Sequence, residues 1–365
     1  MAIYDAKGNT LSVGGEVTSA EIKTALIGAI ADGSVNMGAA IGATLTYTSP
    51  GPAWETNAET AYASLLAAYK AVPNSGIPFF ISTDQHGSGV EQHRWLNNHD
   101  SDANGMGVMS LNLGDTVTDY FNAAQLTSLY QRTKQVKNYI GVYGNHDIMK
   151  GSSSTEIPNY YDLRRYFDAT REQTFSTDQQ GWFVVVDEAH SVKYVCVTSY
   201  TVDAAGAYGK GYTTAAVDWL IAELSKNDGY DIVYLQHWPM YKSRRARGET
   251  EETTSGTAQE NASATSENYK MWQMLIARKN KTSGSYVDTE GVTHTFDFAA
   301  CEHELLCTLH GHDHAELMST ADGLTAYAAN RYPVCVFGLV DRENSKLYIW
   351  QFDATAAYDV LELNI

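Results

Sequence analysis

A chain of 365 residues has room for one large domain or two smaller ones, and its 44% hydrophobic and 19% charged residues, with 7 prolines, mark it as globular. With 25 Lys plus Arg against 43 Asp plus Glu, the formal charge is −18, which excludes nucleic-acid binding driven by phosphate neutralisation. An anionic substrate would need a local positive centre, which bound metal ions can supply.

The longest early apolar run, Ala25 to Ala31, stops at Asp32, well short of a membrane span. Met1-Ala2-Ile3-Tyr4-Asp5 lacks a basic stretch followed by an apolar core, so no signal peptide is visible. The expectation is a soluble chain, with cytoplasmic and exported locations both open. Of the four cysteines, Cys196, Cys307 and Cys335 sit inside apolar runs as small hydrophobes, and no Cys-x-x-Cys pair occurs. Neither a disulfide framework nor a zinc-thiolate site is expected, and a Cys301 to Cys307 bridge is disfavoured.

In chain order, Ala2 to Val13 reads as a hairpin turning at Lys7-Gly8-Asn9, and Ser19 caps a helix to about Ile30. This region carries little chemistry and suits an accessory layer or an oligomer contact. Glu55 to Val72 is a helix, with Tyr62, Leu65, Leu66, Tyr69 and Val72 forming one apolar stripe. Helices are also expected at Ala123 to Val136 and Thr214 to Leu224. Between and after them come short apolar runs without alternation, as in strands covered on both faces. Five of these runs end in donor residues. Phe79-Phe80-Ile81 leads to Asp84 and His86, Val108 to Leu113 leads to Asp115, and Tyr139 to Tyr143 leads to Asn145, His146 and Asp147. Ile232 to Leu235 leads to His237, and Leu305 to Leu309 leads to His312 and His314.

Alternating strands and helices imply an α/β fold, in which sites gather beyond the carboxyl ends of strands. Three inserts, Gly87 to Met106, Ser199 to Tyr212 and Lys242 to Asn268, exceed simple connections and are candidate lids or specificity elements. The basic cluster Lys242, Arg244, Arg245 and Arg247 reads as a solvated loop in preference to a phosphate clamp. Val334 to Val340, Lys346 to Phe352 and Val360 to Leu363 read as antiparallel strands. His93 and His99 are expected to be exposed loop histidines, and His190, His294 and His303 structural or solvent-facing. His310 stays ambiguous between structure and support of the adjacent donors.

Asp, Asn and His donors without thiolate suit Mn, Fe, Zn or Ni. Two such ions sharing one carboxylate would stabilise entering and leaving oxygens in displacement at phosphorus. The ordered set Asp84-x-His86, Gly114-Asp115, Gly144-Asn145-His146-Asp147, His237 and Gly311-His312-x-His314 resembles the calcineurin-like metallophosphoesterase family over about 230 residues. The resemblance implies a two-sheet β-sandwich flanked by helices in four layers, occupying residues 75–365 behind an N-terminal extension, 1–74. It implies one ion on Asp84, His86 and His314, a bridging Asp115, and a second ion on Asn145, His237 and His312. A hydroxide between the ions would be the nucleophile. His146 would be the general acid, its ring oriented by Asp147 or Asp119.

The implied activity is hydrolysis of phosphate monoesters or diesters, with a phosphate-ester substrate as the partner. A protein serine/threonine phosphatase is disfavoured because Gly114-Asp115-Thr116-Val117-Thr118-Asp119 lacks an Asp-Arg-Gly continuation. Purple acid phosphatases would place a tyrosine where Thr118 stands. A non-catalytic secreted or phage-associated module should have lost a ligand, and none of the set is missing.

Overall fold

The computed structural model describes residues 47–100, 105–118, 133, 136–148, 182–198, 208–239, 244–247 and 267–365, together with the short strands Ile3–Tyr4, Thr10–Leu11, Thr174–Phe175 and Tyr200–Val202. Two sheets form its centre. The first has six strands, in the order Leu361–Asn364, Lys346–Phe352, Cys335–Asp341, Gly76–Ile81, Met109–Asn112 and Tyr139–Gly141. Its last three strands are parallel and the others antiparallel. The second has eight, in the order Arg244–Arg245, Leu317–Ser319, Ala326–Ala328, Leu305–His310, Asp231–Leu235, Val192–Cys196, Phe183–Asp187 and Thr174–Phe175. Parallel pairing runs there from Ala326–Ala328 to Val192–Cys196.

Each central strand is buried on both faces, so its apolar residues divide between two cores. Ile77, Phe79 and Ile81 face Val233, Leu235, Cys307 and Leu309 of the opposite sheet. Phe80 points outward to meet Trp54, Ala58, Ala61, Tyr62 and Leu65 of helix Pro52–Ala71. On the far side, Ile232, Tyr234 and Leu305 pack against Val217, Leu220 and Leu224 of helix Thr214–Leu224 and Met271, Trp272 and Leu275 of helix Glu267–Lys279. Burial of each large apolar side chain contributes about 1.5–3 kcal/mol. Period-2 geometry thus converts continuous apolar runs into a helix, sheet, sheet, helix sandwich.

Helix Pro52–Ala71 lies inside the stretch read as an extension, yet it covers the first sheet and is one of the four layers. The hairpin strands Ile3–Tyr4 and Thr10–Leu11 pair antiparallel, while the helices expected near Ser19 to Ile30 and Ala123 to Val136 lie outside the described residues, Thr133 and Val136 apart. The insert after His86 is no open lid over most of its length. Val90–His99 is a helix whose Trp95 and Leu96 enter the outer core, because an apolar stripe on ten residues is enough to dock it against Phe80 and Phe337. His93 is therefore fully buried against Phe80 and Tyr139, and His99 stacks on Trp95, which corrects the reading of both as exposed loop residues. Arg244–Arg245 pairs with Leu317–Ser319, and Arg247 is held by Glu316 and the carbonyl of Asp359. The four cysteines are free and buried. Among the described residues, no helix is long and apolar enough to cross a membrane.

Candidate metal centre

The parallel strands of both sheets end at one edge, and the loops that follow are stitched together by main-chain hydrogen bonds. Asp84 N–H donates to Gly114 O (3.0 Å), His86 N–H to Asp115 O (2.9 Å) and Gly311 N–H to His237 O (2.9 Å). Such spacing leaves no room for Cβ atoms at the glycines preceding the donors. At Gly144 a methyl would sit 2.2 Å from Asp115 Oδ1, and at Gly311 one would sit 2.4 Å from Thr83 Oγ1. Asp84, His86, Asp115, His312 and His314 all adopt positive φ, between 45° and 75°. Non-glycine residues there cost about 1–3 kcal/mol each, and persist where the surroundings over-determine them.

These turns gather three overlapping donor groups: Asp84, His86 and His314; His86, Asp115 and His146; and Asp115, His237 and His312, the donor atoms of each lying within 4.8 Å of one another. Asn145 joins the last group, its Oδ1 3.2 Å from His237 Nε2. Both carboxylates are held by one oxygen and present the other. Asp84 Oδ2 accepts from His312 N–H (2.9 Å) and Thr83 Oγ1–H (3.0 Å), and Oδ1 is buried without a hydrogen bond, 3.3 Å from His314 Nε2. Asp115 Oδ1 accepts from His146 N–H (2.8 Å), and Oδ2 lies 3.3 Å from His237 Nε2.

The imidazoles are oriented in the same way. His237 Nδ1–H donates to Leu113 O (2.7 Å), aiming Nε2 inward, where His312 Nδ1 lies 3.1 Å away. Burial alone would lower His237, but the Asp115 carboxylate lifts it to about 9. Burial would likewise raise Asp115, and the His237 imidazole beside it instead holds it below the usual carboxylate range. Two nitrogen atoms and a carboxylate oxygen competing for one proton is an arrangement that a cation in the proton's place would satisfy better. The orphaned Asp84 oxygen, the thiol-free donor set and the glycine cradles all fit metal ions.

Asp147 has a different place from the one expected of it. The single helical turn Asn145–Ile148 directs its carboxylate back into the loops, where it accepts N–H bonds from Thr116 (2.9 Å), Val117 (3.0 Å) and Gly144 (2.8 Å). Burial and the neighbouring Asp115 charge push it up to about 7. His146 Nδ1–H instead donates to the carbonyl of Thr118 (3.0 Å), and its Nε2 faces the cluster, 4.0 Å from Asp115 Oδ2. A main-chain carbonyl leaves no side-chain signature, so sequence reading could not find it. Asp119 lies outside the described residues. His310 is buried, bonding to Gln236 O (3.2 Å) and Thr308 Oγ1 (2.9 Å).

Two further residues escaped the sequence reading. Trp238 lies over His312 with ring centroids 3.6 Å apart. Arg331 forms a main-chain bridge with Thr83, next to Asp84, and its exposed guanidinium has no hydrogen bond or ion pair among the described residues. His190 and His294 are buried against Asp187 and Asp288, and His303 Nε2 accepts from Gly229 N–H.

The donors therefore define a candidate multi-metal centre at the carboxyl edge of an αββα sandwich. No family model matches the chain, and no curated protein matches it. Among solved structures it is similar to a predicted phosphoesterase from Streptococcus pneumoniae, at 9% identity and TM-score 0.34 over 80% of this chain and 99% of that one. It is also similar to GAP50, the anchor in the inner membrane complex of Plasmodium (10%, TM-score 0.46, 80% and 89%), and to phosphopantetheinyl hydrolase from Mycobacterium tuberculosis (13%, TM-score 0.36, 71% and 91%).

Proposed function

We propose that the chain is a phosphoester hydrolase that works with two metal ions, as its resemblance to calcineurin-like metallophosphoesterases implies. The observation that carries this reading is the overlap of three donor groups through His86 and Asp115, which would let adjacent ions share a carboxylate. Asp84, His86 and His314 would hold one ion, Asn145, His237 and His312 the other, with Asp115 between them. When bound, such a pair supplies Lewis-acid stabilisation of charge at phosphorus and an activated water. The ions are drawn from Mn, Fe, Zn and Ni, on the nitrogen and oxygen donor set.

The chain's own contribution is orientation and proton supply. Asp84 and Asp115 are locked by one oxygen each, so the free oxygens need no reorganisation. His146 is half-exposed at the rim, with its Nδ1 proton committed to Thr118, so a proton on Nε2 can pass to a departing alkoxide at the mouth of the site. Arg331 offers a positive charge for a substrate phosphate in a protein whose net charge is −18.

The test is hydrolysis of bis(p-nitrophenyl) phosphate and p-nitrophenyl phosphate by protein loaded with Mn or Fe, with metal content measured on the same sample. Turnover of one or both substrates that falls with Asp115→Asn is expected. Two bound ions with no turnover of either ester would overturn the hydrolase reading.

A further inference from the structure

We propose that Trp238 is a positioning residue for the metal centre, its indole fixing the His312 imidazole in the orientation that ligates an ion shared with His237 and Asp115. The inference rests on the metal-ion reading above and adds to it a residue outside the donor set.

His312 is anchored at its main chain, by N–H donation to Asp84 at a φ of 75°, but a main-chain bond does not set the rotation of a ring. Its Nδ1 meets His237 Nε2 at 3.1 Å at one edge, and the indole constrains its face: the two rings lie 3.6 Å apart between centroids and are inclined by 31°, so the imidazole can tilt only by displacing the larger group. Displacement is opposed by the enclosure of the buried indole, and its main chain is held from behind. The carbonyl of Trp238 accepts from Gln236 Nε2 (2.7 Å), and Gln236 Oε1 accepts from both Tyr212 OH (2.8 Å) and Tyr234 OH (2.8 Å). Gln236, Tyr212 and Tyr234 are fully buried, and such a satisfied polar network in a low-dielectric interior is rigid. Trp238 itself is only 4% exposed, which suits a brace and excludes a stacking platform for substrate. The tyrosines hold Gln236, Gln236 holds the main chain of Trp238, and the enclosed indole braces His312. Groups that orient a ligand in this way typically govern metal affinity by about 10- to 100-fold.

Tryptophan emission reports the proximity to the ion that this role requires, and the affinity of a single metal equivalent separates it from a purely structural one. Of the seven tryptophans, Trp54, Trp95 and Trp350 lie in the core against helix Pro52–Ala71, and Trp182 and Trp272 lie in the core between the second sheet and its helices, with Trp219 half-buried against it. Only Trp238 touches the donor rings. Titrating metal-free wild-type protein with Mn²⁺ should quench a saturable part of the emission as the ion on His312 binds. W238F should lack that component while still taking up two equivalents. By calorimetry, W238L should weaken one Mn²⁺ equivalent by about tenfold or more and leave the other within about threefold. Two equivalents bound by folded W238L with wild-type affinities would overturn the proposal. If W238L fails to fold by circular dichroism, W238F decides, and wild-type emission untouched by two bound Mn²⁺ ions overturns it. Two bound ions without ester hydrolysis would refute the hydrolase reading and leave this inference standing.

Discussion

Replacing Gly144 by Ala adds one methyl group and should dismantle the centre. Its Cβ would stand 2.2 Å from Asp115 Oδ1 and 2.3 Å from Asp115 N, where ordinary contact needs about 3.4 Å or more. A flexible side chain could yield, but one of the two obstructing atoms is main chain, so the strands' carboxyl ends must part by about 1 Å. That separation strains three linked contacts: Thr116 N–H to Asp147, His146 N–H to Asp115, and Asp115 to His237. Overpacking of this kind costs about 1–3 kcal/mol, and one buried acceptor left unsatisfied adds about 1–3 kcal/mol. Stability should therefore fall by about 2–6 kcal/mol in urea titrations. A misplacement of about 1 Å at Asp115 should cost about 100-fold in turnover, with a matching loss of metal affinity by calorimetry. Gly229→Ala is the control, since a Cβ there meets nothing within 4 Å and only its φ of 97° is strained. Should Gly144→Ala bind two ions with wild-type affinity, the steric account of this loop is wrong.

His146→Gln should leave metal content unchanged while lowering kcat by about 100-fold, and equal turnover would remove His146 from proton transfer. Arg331→Ala should raise KM for phosphate esters by about tenfold or more with kcat little changed; an unaltered KM would show that this guanidinium does not meet substrate. His93 is fully buried, and desolvation lowers it to about 3. Its folded value lies below the unfolded 6.5, so the unfolded chain binds the extra proton, and the native state loses stability as pH falls from 6.5 toward 3. At pH 5 the loss amounts to about 2 kcal/mol, and none is expected above pH 7.5. His93→Gln should remove that increment, which unfolding titrations at the two pH values would measure as a smaller acid loss than in wild type.

Much of the fold was legible because both periodicities are strong. Thr214–Leu224 and Lys346–Phe352 are legible to the residue, since an apolar stripe or a largely buried strand leaves a local signature that packing then reinforces. The chemical types of the candidate donors were legible for a related reason. Glycine followed by Asp, Asn or His just after an apolar run is costly as an ordinary turn, and at Gly144 and Gly311 the structure supplies the steric cause. Helix Glu267–Lys279 and the hairpin of Ser283–Val287 with Thr293–Asp297 were missed, because their exposed faces break the apolar pattern.

What local sequence could not carry is the set of contacts made between distant segments. The role of Asp147 as an acceptor for three main-chain N–H groups, the Thr118 carbonyl under His146, and the placing of Arg331 beside Thr83 all depend on loops from different strands closing together. The indole of Trp238 is the clearest case: one residue after His237 it reads as an apolar strand end, and only the return of the Gly311–His314 loop, 73 to 76 positions on, brings an imidazole against its face. The sequence by itself determined the period of each element and the donor chemistry at its end. Tertiary structure decided which oxygen of each carboxylate is held, which nitrogen of each ring is free, and what keeps them so, because those are properties of contacts that no single segment contains.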